Sequence, residues 1–81
     1  MDYHIKTPEQ LKVALRQLRQ AQGFSQSELG RRIGLSQERI SAIESHPEKI
    51  TIDQLLTILM ALGTELMIKP RKAEPPPEGS W

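Results

Sequence analysis

Residues 25–45 read SQSELGRRIGLSQERISAIES, and their reading decides the fold. Ser25-Gln26-Ser27-Glu28 has the spacing of a capping box, a hydroxyl that accepts from the helix start and a glutamate three residues on that can answer. Phe24 just before it and Leu29 just after stand at hydrophobic-staple positions. Gly34 ends this first short helix, Gln26 to Ile33, because glycine tolerates left-handed backbone. Ser36 caps a second helix, Gln37 to about Ser45, with Leu35 and Ile40 as its staple. Leu29, Ile33, Leu35, Ile40 and Ile43 form one apolar seam, which folds the two helices against each other at a steep angle across a tight turn. Ser36, Gln37, Glu38, Arg39 and Ser41 are left polar at the start of the second helix. Short-reach hydrogen-bonding side chains are what a helix needs there to read base edges in a major groove.

Outward from this segment, the helix signals repeat. Thr7-Pro8-Glu9-Gln10 offers a cap, a proline at the first helical position and a glutamine that closes a capping box. Leu11, Ala14, Leu15 and Leu18 then recur at helical spacing, and Gly23 stops the run. Thr51-Ile52-Asp53-Gln54 opens a further helix, flanked by Ile50 and Leu55 and closed by Gly63. On that helix Ile52, Leu55, Leu56, Ile58, Leu59, Met60 and Leu62 make an apolar face well beyond the ~100° stripe of an ordinary surface helix. Either it is sunk in its own protomer or a second subunit covers part of it. Glu65-Leu66-Met67-Ile68-Lys69 alternates like a short strand and is followed by Pro70. One strand cannot satisfy its own backbone, and Tyr3-His4-Ile5 is a poor partner, so pairing with the same strand of a second copy is expected. The expected dimer surface is Ile58, Met60, Leu66, Met67 and Ile68.

Composition narrows the function. The 81 residues make one domain, expected over 1–69, with 70–81 (PRKAEPPPEGSW) as a disordered, partly polyproline-like tail. There is no cysteine, which removes disulfides, Cys-ligated zinc and thiol catalysis. His4 and His46 lack metal-ligand or catalytic spacing, and there is no glycine-rich phosphate loop, so neither an enzyme nor a cofactor is expected. No apolar run reaches a membrane span and no signal peptide opens the chain, so a cytoplasmic location is expected, with no membrane partner. A net charge of +1 is too small for strong indiscriminate nucleic-acid binding; charge has to be placed locally.

As a set, Arg19, Gly23, Ser25-Gln26, Leu29, Ile33-Gly34, Ser36-Gln37, Ile40-Ser41 and Glu44 resemble the helix-turn-helix family of the phage lambda and 434 repressors, the Cro/C1 or xenobiotic-response-element type. The resemblance spans about residues 11–63 and implies an all-α fold of four or five helices. It implies that Arg19 pairs with Glu44 as a structural brace between the first helix and the recognition helix. It implies base contacts from Ser36, Gln37, Glu38 and Ser41, and backbone contacts from Gln26, Ser27, Arg39 and Lys49 on double-stranded operator DNA. Glutamine at Gln37 suits adenine. Glu38 can accept from cytosine but is repelled by phosphate, and both readings stay open. Arg31 and Arg32 read as a solvated face, and Arg16 as surface. The family usually carries alanine where this chain has Gly30, which costs helix propensity yet permits a close crossing.

The size, the strand after the last core helix and a tail ending in tryptophan are similar to the HipB-type antitoxins of toxin–antitoxin operons. That resemblance implies a homodimer that represses its own operon and binds a HipA-like serine/threonine kinase toxin. Trp81, the one tryptophan, reads as a toxin-binding anchor or as an unconstrained terminus. Two other functions share most of these features: a stand-alone phage-like or restriction-modification controller, and a protein-interaction module that never touches DNA. Gln37, Arg39 and Ser41 argue against the last.

Overall fold

Each described α-helix of this protein starts at a hydroxyl that replaces a missing backbone acceptor. The computed structural model describes residues 2–71, among which are four α-helices: α1 (Pro8–Ala21), α2 (Gln26–Ile33), α3 (Gln37–Ser45) and α4 (Ile52–Ala61). A single 3₁₀ turn, Pro47–Lys49, joins α3 to α4. Thr7, Ser25, Ser36 and Thr51 accept from Gln10, Glu28, Arg39 and Gln54 N–H groups respectively. Each such cap is worth about 1 kcal/mol. At Thr7 and Thr51 the box is complete, with Gln10 and Gln54 answering the cap N–H.

The box expected at Ser25 is half made. The Ser25 hydroxyl accepts from Glu28 N–H at 3.0 Å. The Glu28 carboxylate, however, is held by Arg31 and, at 3.2 Å, by Arg32 one turn on. Two cations at i+3 and i+4 outbid one neutral N–H for a carboxylate. Arg32 also lies 4.3 Å over the Phe24 ring.

Ala14 and Leu15 from α1, Leu29 from α2, Ile40 and Ile43 from α3, and Ile58, Leu59 and Leu62 from the α4 region close one core. The staple residues Phe24, Leu35, Ile50 and Leu55 pack on its margin. Every buried Leu or Ile contributes ~1.5–3 kcal/mol against exposure, so the core draws its stability from all four helices. Gly34 holds the α2–α3 turn with φ +76°, a value that few other residues adopt cheaply. Gly30 is buried where α2 meets that turn: a β-carbon there would lie 2.3 Å from the Leu35 carbonyl oxygen. The close approach of α2 to the turn thus depends on the missing methyl.

One expectation changes. Ile58, assigned to the dimer surface, is 2% exposed within the single chain and belongs to its core. Residues 65–69, expected as a strand, carry no regular element. A strand exists only with a ladder partner, and one chain supplies none. From Lys72 on, the tail and its Trp81 lie outside the described residues.

Candidate nucleic-acid interface

Caps and seam together decide what α3 shows to solvent. With Ile40 and Ile43 turned into the core, Ser36, Gln37, Glu38 and Arg39 are exposed on the first turn, and Ser41 is half-buried one step on. Beside this edge lies the first turn of α2, which carries Gln26 half-buried and Ser27 exposed. Lys49 is exposed in the 3₁₀ turn directly after α3. Free N–H groups at the starts of α2 and α3 add partial positive charge beside these side chains.

A hydrogen-bonded network holds the edge from behind. Glu44, on α3, is 2% exposed, yet its carboxylate is fully engaged. Arg19 of α1 reaches it through Nε at 2.6 Å and Nη2 at 3.2 Å, while Nη1 donates to the Phe24 carbonyl at 2.8 Å. A bidentate guanidinium–carboxylate pair is the strong form of ion pair, and here it spans α1 and α3. Arg16, half exposed, adds charge at 3.9 Å. Gln26 of α2 donates from Nε2 to the same carboxylate at 3.3 Å, and its Oε1 accepts from Gln37 Nε2 at 2.7 Å. Three helices therefore meet on Glu44, and a chain of two amides runs from it to the exposed start of α3. Among the described residues no buried side-chain nitrogen or oxygen lacks a partner.

The remaining cations divide by what they already hold. Arg31 and Arg32 are taken by Glu28, in keeping with a solvated face. Arg39 Nη2 donates to Gln54 Oε1 of the α4 capping box at 3.5 Å, a long contact on the surface that leaves most of its guanidinium free. His46 Nδ1 lies 3.3 Å from Glu48, whose carboxyl is held below the ordinary 4.5 by its own backbone N–H and, less strongly, by His46 and Lys49.

The structure thus gathers Ser36, Gln37, Glu38, Arg39 and Gln26 around the starts of α2 and α3, with Ser41 and Lys49 further along α3 and its exit. Sequence reasoning missed the bonds from Gln26 to Glu44 and Gln37. The signal was present: Gln26 and Gln37 are each the first residue of adjoining helices, and a steep crossing brings such starts together. Of the expected dimer residues, Met60, Leu66, Met67 and Ile68 are exposed, and Ile52 and Leu56 join Met60 on α4 at intervals of four. Among the described residues no cluster of three His, Asp or Glu could hold a metal, and no helix is long and apolar enough to cross a membrane.

A family model described as Helix-turn-helix (HTH_3) matches residues 15–68. Antitoxin HipB of Escherichia coli strain K12 is 36% identical over 64 residues, which cover 79% of this chain and 73% of that protein. Among solved structures, a HipB–O1–O2 complex superposes with a TM-score of 0.75 at 34% identity, covering 83% of this chain and 97% of the other. A HipA–HipB–O2–O3 complex superposes at 0.77 with 35% identity, covering 85% and 97%.

Proposed function

This chain belongs to the Cro/C1-type helix-turn-helix family and within it to the HipB antitoxins, and on that premise we propose that it is a DNA-binding repressor with two kinds of partner. Working as a homodimer, it reads an inverted-repeat operator; as an antitoxin, it binds a HipA-like kinase. It acts as a binding protein and not as an enzyme, in the cytoplasm where the operator lies. The observation that carries the reading is the exposed polar first turn of α3, braced from beneath through Gln26 and Glu44. Ser36, Gln37, Glu38 and Ser41 face base edges, while Gln26, Ser27, Arg39 and Lys49 meet the backbone. Residues 1–69 form the DNA-binding and dimerising unit, and 70–81 form its tail.

The second copy covers Ile52, Leu56 and Met60 on α4 together with Leu66, Met67 and Ile68, all exposed in the single chain. Met60 at 74% and Ile68 at 89% have the most surface to lose. Residues 65–69 then pair across the twofold axis, which gives each strand the ladder it lacks alone. Such a dimer sets its two recognition helices about 34 Å apart, one turn of duplex or a multiple.

The test is an anisotropy titration against duplexes tiled across the promoter of this gene, with random duplex as competitor and with or without the product of the adjacent gene. The expected result is a palindromic site bound at least ~10³-fold tighter than random sequence. Binding that treats all duplexes alike refutes the repressor reading. A specific complex that the neighbouring product never joins leaves a stand-alone controller, and the antitoxin part of the proposal is then wrong.

A further inference from the structure

We infer that Glu44, which lies too deep to touch DNA, sets the base preference of Gln37 by fixing which end of its amide faces outward. This rests on the reading above that α3 enters a major groove. The Glu44 carboxylate, bonded to the Arg19 guanidinium, can only accept. Gln26, 3.3 Å from it, must therefore turn its NH₂ toward Glu44 and its oxygen away. That oxygen is 2.7 Å from the Gln37 amide nitrogen, so Gln37 must in turn give its NH₂ to Gln26. The outward edge of Gln37 is left with a free carbonyl oxygen and the second N–H of the same amide. An acceptor beside a donor matches adenine, which offers N6–H₂ and N7; guanine offers two acceptors there, O6 and N7. An unrestrained glutamine can turn its amide to suit either purine. Here each amide in the chain is committed by the one before it, and the commitment begins at a buried carboxylate about 18 residues from Gln26 in sequence but bonded to it in space.

The relay predicts a change of specificity from a residue that contacts no base. In Glu44→Gln, Arg19 claims the new carbonyl oxygen, and the new NH₂ faces Gln26. Gln26 then turns over, Gln37 turns over after it, and the outward edge gains donors that suit guanine. In Gln26→Met the chain is cut while the Arg19–Glu44 pair is kept, so Gln37 is free to turn. The experiment selects bound duplexes from a random library with the full-length wild-type chain, and uses Gln37→Ala to identify the base pair whose preference Gln37 sets. Affinities for A·T and G·C at that pair are then measured for the wild type and both variants, with folding checked by circular dichroism.

The wild type is expected to prefer adenine by roughly tenfold or more. Gln26→Met should reduce that ratio to within about twofold of unity, and Glu44→Gln should reduce or reverse it. A purely structural role for Glu44 lowers affinity for both duplexes in parallel and leaves their ratio alone; that outcome overturns the inference. If Glu44→Gln does not fold, Gln26→Met decides it alone: an unchanged ratio refutes the relay. A wild type that prefers guanine at this pair also refutes it. Failure of the wild type to select any duplex brings down the DNA-reading proposal beneath it, and is distinguishable from these because no base pair responds to Gln37→Ala.

Discussion

Replacing Gly30 by alanine sets two well-known effects against each other, and the structure decides which wins. In the interior of a helix alanine is favoured over glycine by about 0.8–1.0 kcal/mol. On propensity alone, Gly30→Ala in α2 stabilises the protein. Its β-carbon, however, would lie 2.3 Å from the Leu35 carbonyl oxygen, 3.2 Å from the Leu35 carbonyl carbon and 3.3 Å from Ile40 Cγ1. An ordinary carbon–oxygen contact needs about 1 Å more, so the turn between α2 and α3 must retreat by that amount. The turn is poorly placed to do so. Leu35 N–H is bonded to the Gly30 carbonyl at 2.8 Å, Gly34 is already in a left-handed conformation, and Ile40 is 1% exposed in the core. Overpacking of this kind costs ~1–3 kcal/mol, and here the obstacle is backbone and not the end of a flexible side chain. Because the obstacle is rigid backbone, the upper half of that range applies, and the net expectation is a loss of about 1–2 kcal/mol after the propensity gain is subtracted. In a domain of this size that lowers Tm by several degrees, about 4–8 °C per kcal/mol. Thermal and urea denaturation of the two proteins, at equal concentration because a dimer's stability depends on it, provide the measurement. An alanine variant with a Tm equal to or above that of the wild type refutes the argument that the crossing requires a missing methyl.

Truncating one member of the Arg19–Glu44 pair leaves a nearly buried charge without its partner, so Glu44→Ala should cost ~3–5 kcal/mol in urea unfolding. Changing both to apolar residues of similar volume, Arg19→Met with Glu44→Leu, should recover much of that loss; a double variant as unstable as the sum of the singles contradicts the brace. Ile68→Glu places a charge on a side chain that is 89% exposed in one chain, so it should leave the secondary structure intact while shifting the sedimentation behaviour from dimer to monomer. A dimer unaffected by this change and by Met60→Lys would move the interface elsewhere. Gln37→Ala should weaken the specific complex by about 1–3 kcal/mol and random-duplex binding hardly at all, and equal losses would contradict base reading. Glu48 has a lowered pKa, so what it contributes is present above the ordinary 4.5 and is lost as pH falls through the lower folded value. The stability difference between wild type and Glu48→Gln should accordingly be flat at neutral pH and shrink below about 4.5, a small effect because the side chain is exposed.

How far the sequence could be read followed the range of the interaction concerned. Caps act over three residues and staples over five, and the starts at Thr7, Ser25, Ser36 and Thr51 were legible because nothing distant bears on them. The seam of Leu29, Leu35, Ile40 and Ile43 was legible for the same reason, since both helices lie within one short segment. Competition for a single group was harder to read. Glu28 could have closed a box or paired with Arg31 and Arg32, and spacing alone permits both; the two cations prevail because they carry charge. Hardest were the links across unrelated parts of the chain, such as Gln26 to Glu44 and Gln22 to the Leu62 carbonyl, 40 residues apart at 2.8 Å. These exist only once the core has set the helices side by side.

The division of α4 between two covers could in fact have been worked out in advance. At about 100° per residue, Ile58 and Met60 point roughly 160° apart around the helix, so a single flat partner cannot cover both. Leu55, Leu59 and Leu62 lie on the arc that includes Ile58, and all four pack in the protomer's own core or on its margin. Ile52, Leu56 and Met60 occupy the adjoining arc and stay exposed. A broad apolar face shared between two covers was the right reading; Ile58, placed on the outer surface, belongs to the inner arc. Arg39 of α3 reaches Gln54 in the first turn of α4 only through one long surface contact of 3.5 Å, so what joins the exposed edge of α3 to the outer arc of α4 is the core the two helices share.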